Sequence, residues 1–198
     1  MPILAGARAS VLDTETTGMS PATGAALVEI ARVEIEDGAL RDAWSSLVRP
    51  GRPIPPDAVA VHGITDAMVA EAPTPAEIGA RLRERVDDRT LVFHNASFDL
   101  PFLVTLLRDS GQPPLLNPIV DTLGLARGLF GAGSNSLGQL AERMGLPAET
   151  AHRALGDART TARVFLTLAA RWESERGIRS LAELAAVSQD VMRTSHRR

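Results

Sequence analysis

The stretch Ser10-Val11-Leu12-Asp13-Thr14-Glu15-Thr16-Thr17-Gly18 is an apolar strand that ends in two acids, Asp13 and Glu15. Successive side chains in a strand point to opposite faces, so residues two apart share one side. Two carboxylates side by side at the edge of a core repel each other and lose solvation. A cation between them removes that cost, which makes the pair the first sign of a hard-metal site. Taken alone, an Asp-x-Glu pair is commonly just a solvated strand end.

The rest of the chain arranges itself around this strand. Leu27 to Glu36 reads as a second strand, alternating from Ala31 on: Ala31, Val33 and Ile35 to one side, Arg32, Glu34 and Glu36 to the other. Asp37-Gly38 is a hairpin signal, and Ala39 to Val48 returns as a third strand. Pro50 to Pro56 must be irregular, and a short helix follows before Val61-His62-Gly63-Ile64-Thr65. Thr65 or Thr74 is placed to cap the next helices. Helices are then expected over Pro75–Val86, Asp99–Leu107, Asp121–Phe130, Ser136–Met144 and Ala154–Trp172. Short strands are expected at Thr90–Phe93 and Pro118–Val120. A weak helix, Leu181 to Val187, leads to a polar tail, Thr194 to Arg198, expected to be mobile. A meander followed by alternating helices and strands implies an α/β fold: a mixed sheet with helices packed on it.

Bulk properties set bounds. The 198 residues suit one well-cored domain, and 44 % hydrophobic content is that of a globular chain. No apolar run approaches the ~20 residues of a membrane span. The N-terminus carries no signal-peptide pattern and there is no cysteine, so disulfides and thiolate metal sites are excluded and a cytoplasmic location is expected. The net charge of −3 does not announce a nucleic-acid binder, but bound divalent ions make an acidic site locally positive. Every basic residue other than the histidines is Arg.

Two later segments join the acid pair: His94-Asn95-Ala96-Ser97-Phe98-Asp99 and His152-Arg153-Ala154-Leu155-Gly156-Asp157. Asp99 begins an apolar stripe continued by Phe102, Leu103 and Leu106, and Asp157 does the same ahead of Thr161, Phe165, Leu168 and Trp172. A carboxylate heading a buried stripe needs a partner, and an Arg or a helix N-terminus would serve for either one alone. Four acids, each where an element begins or ends beside the sheet, make a poor coincidence. His152, in a loop near Asp157, is placed to take a proton from water near neutral pH. His94 and Asn95 lie between a strand and a helix, where binding groups gather, although Asn95 equally suits a helix cap. His62 beside Gly63 either contacts a ligand or closes a turn. The chemistry that fits is two-metal hydrolysis of a phosphodiester: two ions about 3.5–4 Å apart, oxygen ligands and a histidine general base. Magnesium suits such ligands best, and manganese is expected to substitute.

Asp-Thr-Glu-Thr-Thr-Gly (13–18), Val-His-Gly-Ile (61–64), His-Asn-Ala-x-Phe-Asp (94–99) and His-x-Ala-x-x-Asp (152–157) resemble the DEDDh 3′–5′ exonucleases, above all the epsilon proofreading subunits of bacterial DNA polymerase III. The likeness runs from about Arg8 to Trp172. It implies a ribonuclease H-like fold, a five-stranded mixed sheet flanked by helices, with the exonuclease domain at residues 1–175 and a short helix and polar tail at 176–198. It implies that Asp13, Glu15, Asp99 and Asp157 hold two divalent ions and that His152 is the general base. Thr14, Thr16, Gly18, Met19, His62, Asn95 and Phe98 would line the 3′-terminal nucleotide. A sister class uses tyrosine for the base, and this chain has no tyrosine. The implied substrates are single-stranded or frayed DNA 3′ ends. RNA 3′ ends and a non-catalytic nucleic-acid-binding role on the same fold are the alternatives; the complete set of five catalytic-type residues argues against the latter. A DNA polymerase subunit is an implied partner, yet Ser188-Gln189-Asp190-Val191-Met192 is a poor clamp-binding motif.

Overall fold

The computed structural model describes residues 3–147 and 149–195, without the side chains of Thr194 and Ser195. Five strands, β1 (Arg8–Thr16), β2 (Leu27–Glu36), β3 (Ala39–Leu47), β4 (Thr90–Phe93) and β5 (Ile119–Asp121), form one sheet in the order β3-β2-β1-β4-β5. β1, β2 and β3 pair antiparallel, and β4 and β5 join parallel to β1. The eight α-helices in the described residues are α1 (Pro56–His62), α2 (Asp66–Val69), α3 (Pro75–Val86), α4 (Ala96–Asp109), α5 (Thr122–Phe130), α6 (Leu137–Arg143), α7 (Ala154–Arg176) and α8 (Leu181–Ser195). No helix among them is long and apolar enough to cross a membrane.

Strand alternation divides the core into two layers. Ala9 and Val11 of β1 join Ala31, Val33, Ile35, Val92 and Val120 against Phe165, Leu168 and Trp172 of α7. Leu12, Ile30, Leu91 and Phe93 point the other way, against Ile78 and Leu82 of α3 and Phe102, Leu103 and Leu106 of α4. A smaller cluster, Val28, Ile54, Ile64 and Val69, seats α1 and α2 beside β2. The polar side of β2 is less exposed than its alternation suggests. Arg32 is buried, donates to Ser10 Oγ at 3.0 Å and pairs with Glu34 at 3.1 Å.

Several local expectations need correction. Thr74 caps α3, in a reciprocal pair with Glu77, whereas Thr65 makes no side-chain cap. The helix expected from Asp99 begins at Ala96. The largest difference is α8, a 15-residue helix where a short weak one was expected. It packs into the main core through Leu184 and Met192, and the Ser188 hydroxyl accepts from the Asp121 amide at 3.1 Å. The reason lies on α5. A β-carbon on Gly124 would fall 2.3 Å from the Ser188 carbonyl oxygen, and one on Gly128 would fall 2.5 Å from the Trp172 ring. Two glycines one turn apart thus let α7 and α8 close on α5. Of the expected polar tail, Thr194 and Ser195 belong to α8, and residues 196–198 lie outside the described residues. The expected boundary at 175/176 falls at the last residue pair of α7.

If α8 is a core element, Leu184→Ala should cost about 2–5 kcal/mol in urea denaturation, the usual range for a buried leucine. Leu116, 88 % exposed, is the control. Its alanine variant should stay within about 0.5 kcal/mol of the parent.

Candidate active site

Asp13 and Glu15 share the α7 face of β1, and the first turn of α7 brings Asp157 to them. One carboxylate oxygen from each lies within 4.8 Å of the others, a spacing that one cation can bridge. Asp99 is not in that tight group. It arrives from α4, on the opposite layer, where its buried carboxylate accepts from the Thr14 hydroxyl at 2.7 Å. Thr14 points away from Asp13 and Glu15, as strand alternation requires, so its hydroxyl is engaged with Asp99. The four acids therefore meet around the end of β1 as three plus one.

Burial and mutual repulsion dominate the electrostatics. Burial pushes the Asp13 carboxyl well above its ordinary range, and the charges acting on it, led by Asp99 and then Asp157 and Glu15, are carboxylates that push the same way. Burial, then Asp157 and Glu29, raise Glu15 to about 8. Burial raises Asp99 to about 7 against the opposing hydrogen bonds from Thr14. Burial also raises Asp157, opposed by the bond from the His152 amide. Oxygen donors held together at this cost fit a hard divalent cation, because a cation converts each of these repulsions into an attraction.

His152 is exposed, in the loop before α7, and its amide donates to Asp157 Oδ2 at 2.9 Å. Its φ of 56° places it in the left-handed region, an uncommon conformation for a non-glycine residue. His152, Asp13, Asp157 and His94 line one cleft of about 660 Å³, walled by Leu137, Ala141 and Leu146. His94 Nδ1 hydrogen-bonds the Thr122 hydroxyl at 2.8 Å, and burial lowers its pKa.

The residues expected around a nucleotide fall on three elements and a loop: Thr14 and Thr16 on β1, Gly18 and Met19 on the loop after it, His62 at the end of α1, and Asn95 and Phe98 at the start of α4. Thr16 is buried and donates to the Gly18 carbonyl at 2.7 Å, and Met19 stands 80 % exposed on the following loop. His62 closes a turn, its Nδ1 accepting from the Ile64 amide at 3.0 Å. Its Nε2 is buried without a hydrogen-bond partner. Burial lowers the His62 pKa, which favours the neutral ring. Phe98 is half-buried, with its ring centroid 5.6 Å from that of Phe102. Asn95 sits at the start of α4 with φ 68° but does not cap it. That task falls to Asp121, whose carboxylate accepts from the Asn95 and Ala96 amides at 3.0 Å each.

Two site residues escaped the sequence reading. Glu29, directly across β1/β2 from Glu15, is buried, and Arg153 holds its carboxylate with two bonds, at 2.7 and 3.0 Å. The available signal was a single charge inside Leu27-Val28-Glu29-Ile30-Ala31, an otherwise apolar run. Asp121 was read only as the start of a helix.

The raised carboxyls carry a stability consequence. In the unfolded chain Glu15 and Asp99 ionise near 4.5 and 3.8, but in the folded, metal-free protein near 8 and 7. Between those limits the native state binds more protons, so stability falls as pH rises from about 4 to about 8 and then levels off. Urea denaturation in EDTA across pH 4.5–8.5 should show this decline, and Glu15→Gln should make it shallower while the Asp99 contribution remains.

The sequence profile of the Exonuclease family (RNase_T) matches residues 10–165. The chain is 46 % identical over 163 residues to the DNA polymerase III subunit epsilon-like protein of Rhodobacter capsulatus, covering 80 % of this chain and 23 % of that protein. It therefore spans about a quarter of that relative's length. It is 35 % identical over 177 residues to the DNA polymerase III subunit epsilon of Pasteurella multocida, covering 84 % of this chain and 70 % of that one. Among solved structures, Exonuclease X in complex with 5′ overhanging duplex DNA superposes with a TM-score of 0.70 at 32 % identity, covering 91 % of this chain and 99 % of that one. Escherichia coli Exonuclease I in complex with a dT13 oligonucleotide shares the fold at a TM-score of 0.76 and 19 % identity, over 86 % of this chain and 43 % of that one. With the profile spanning most of the chain and the acids in place at the end of β1, the chain belongs to the Exonuclease (RNase_T) family.

Proposed function

We propose that this protein is a metal-dependent 3′–5′ exonuclease that releases 5′-mononucleotides from DNA 3′ ends. The observation that carries this reading is the group of Asp13, Glu15 and Asp157 within 4.8 Å, opening on the cleft that His152 lines. Those three residues, with Asp99 beside them, would hold two magnesium ions, and manganese would serve in their place. When bound, the ions supply charge neutralisation for the phosphodiester and lower the pKa of the attacking water.

The chain's own groups do the rest. His152, exposed and on a loop, takes the proton from the attacking water and must be neutral to do so. The water oxygen bonds to phosphorus, the bond to the neighbouring 3′-oxygen breaks, and that oxygen takes a proton from solvent. Thr16, Gly18, Met19, His62, Asn95 and Phe98 hold the terminal nucleotide, joined by Thr14 through its hold on Asp99. The Met19 side chain, free in solvent, offers an apolar surface to the terminal base. A frayed or single-stranded end suits such a site, because a duplex end must first lose stacking and pairing. The names of the relatives favour DNA over RNA and suggest a polymerase III subunit as partner.

Asp13→Ala or Asp157→Ala should abolish hydrolysis of 3′-labelled single-stranded DNA while the fold persists; near-parental turnover in magnesium would sink the metal reading. His152→Ala should slow turnover roughly 10²–10⁴-fold at saturating magnesium, the usual worth of a positioned base. Side-by-side assays on mismatched duplex DNA, RNA and closed circular single strands test the substrate. Rapid cutting of the circle would rule out an exonuclease, and faster loss of RNA would overturn the DNA assignment.

A further inference from the structure

We infer that Glu29 is a positioning residue for the general base: through Arg153 it locks the loop that carries His152. The inference rests on the exonuclease reading above. Glu29 is 4 % exposed near the start of β2, facing α7, and its carboxylate receives three bonds. Arg153 Nε reaches Oε2 at 3.0 Å, Arg153 Nη2 reaches Oε1 at 2.7 Å, and the Ala154 amide reaches Oε2 at 3.0 Å. This is the two-pronged guanidinium–carboxylate geometry, closed by the first amide of α7. Arg153 occupies the cap position of α7 without capping it by its own side chain, so Glu29 takes over that task from another element.

Several observations tie the clamp to His152 rather than to stability in general. His152 is the residue immediately before Arg153, and its left-handed φ of 56° is the kind of conformation that persists only where the surroundings over-determine it. On its far side the loop is held by Asp157, which bonds the His152 amide and also belongs to the tight acid group. Glu29 is not in that group, so its hold on the loop does not compete with ligand duty. The loop also sits tight against α7, since a β-carbon on Gly156 would fall 2.1 Å from the Thr150 carbonyl oxygen. Finally, Glu29 adds a carboxylate that raises Asp13, Glu15 and Asp157 further. A neutral residue would anchor a helix end without that cost. The two-pronged grip on Arg153 is what the carboxylate adds.

The test is a double-mutant cycle on 3′-labelled single-stranded DNA at saturating magnesium. Glu29→Gln, Arg153→Gln and the Glu29→Gln/Arg153→Gln double variant are each made in the parent and in the His152→Ala protein. Thermal melts verify the fold. The double variant, which leaves no unpaired buried charge, carries the test if a single variant fails to fold. In the parent, each change should lower kcat by about 10²-fold, the loss expected from a misplaced group, with KM and magnesium dependence little changed. In the His152→Ala protein, the same changes should cost no more than about twofold further, because the group they position is gone. A full loss that persists without His152, a loss reversed by more magnesium, or an unchanged kcat in a folded variant would overturn the inference alone. Parental turnover in His152→Ala itself would overturn the exonuclease reading and this inference with it.

Discussion

Mutual repulsion among carboxylates at the end of β1 is the constraint on which the site is built. Asp13, Glu15, Asp99 and Asp157 come from three elements, and burial raises all four. Left to themselves they would separate or take up protons. They stay together because each is fixed by something more rigid than its own side chain. β1 is the central strand, with β2 on one side and β4 on the other, so Asp13 and Glu15 cannot retreat. Asp99 is tied by the Thr14 hydroxyl, and Asp157 by the His152 amide. The fold thus holds together carboxylates whose repulsion a bound divalent cation would relieve.

A second junction sits one strand over. Asp121 ends β5, accepts from the first amides of α4, accepts from Leu123 at the start of α5, and donates its own amide to Ser188 of α8. One buried aspartate therefore ties four elements together at the same end of the sheet as the acids. This explains why α4 begins at Ala96 and why the Asn95 side chain, not used as a cap, accepts from the Ser97 hydroxyl instead. It also explains why α8 belongs to the core: it satisfies a group that the sheet's last strand leaves over.

The cleft is lined by Asp13 of β1, by His152 and Asp157 at the entry to α7, and by Leu137 and Ala141 of α6. Glu29 and Arg153 tie two of these parts together, since β2 neighbours β1 while Arg153 immediately precedes α7. In the proposed mechanism, rigid placement of His152 relative to the acids matters because misplacement of a reacting group by a single ångström costs orders of magnitude in rate.

Much of this was legible in the chain. Period-two alternation around Ala31, Val33 and Ile35, the Asp37-Gly38 turn and the later helical stripes determined a mixed sheet with helices on it. Local patterning of this kind depends only on near neighbours. The motif acids and His152 were legible because charged residues stood where apolar stripes begin. Only the tertiary structure decided the rest. It set Asp99 on the opposite layer from its fellow acids, because strand alternation sends Thr14, its partner, the other way. It made α8 a core helix, because two glycines on α5 admit it. And it brought Glu29 to Arg153, 124 residues apart in sequence. No local pattern reports a pairing at that separation, for a buried charge finds its partner only when the sheet and its covering helix have closed around it.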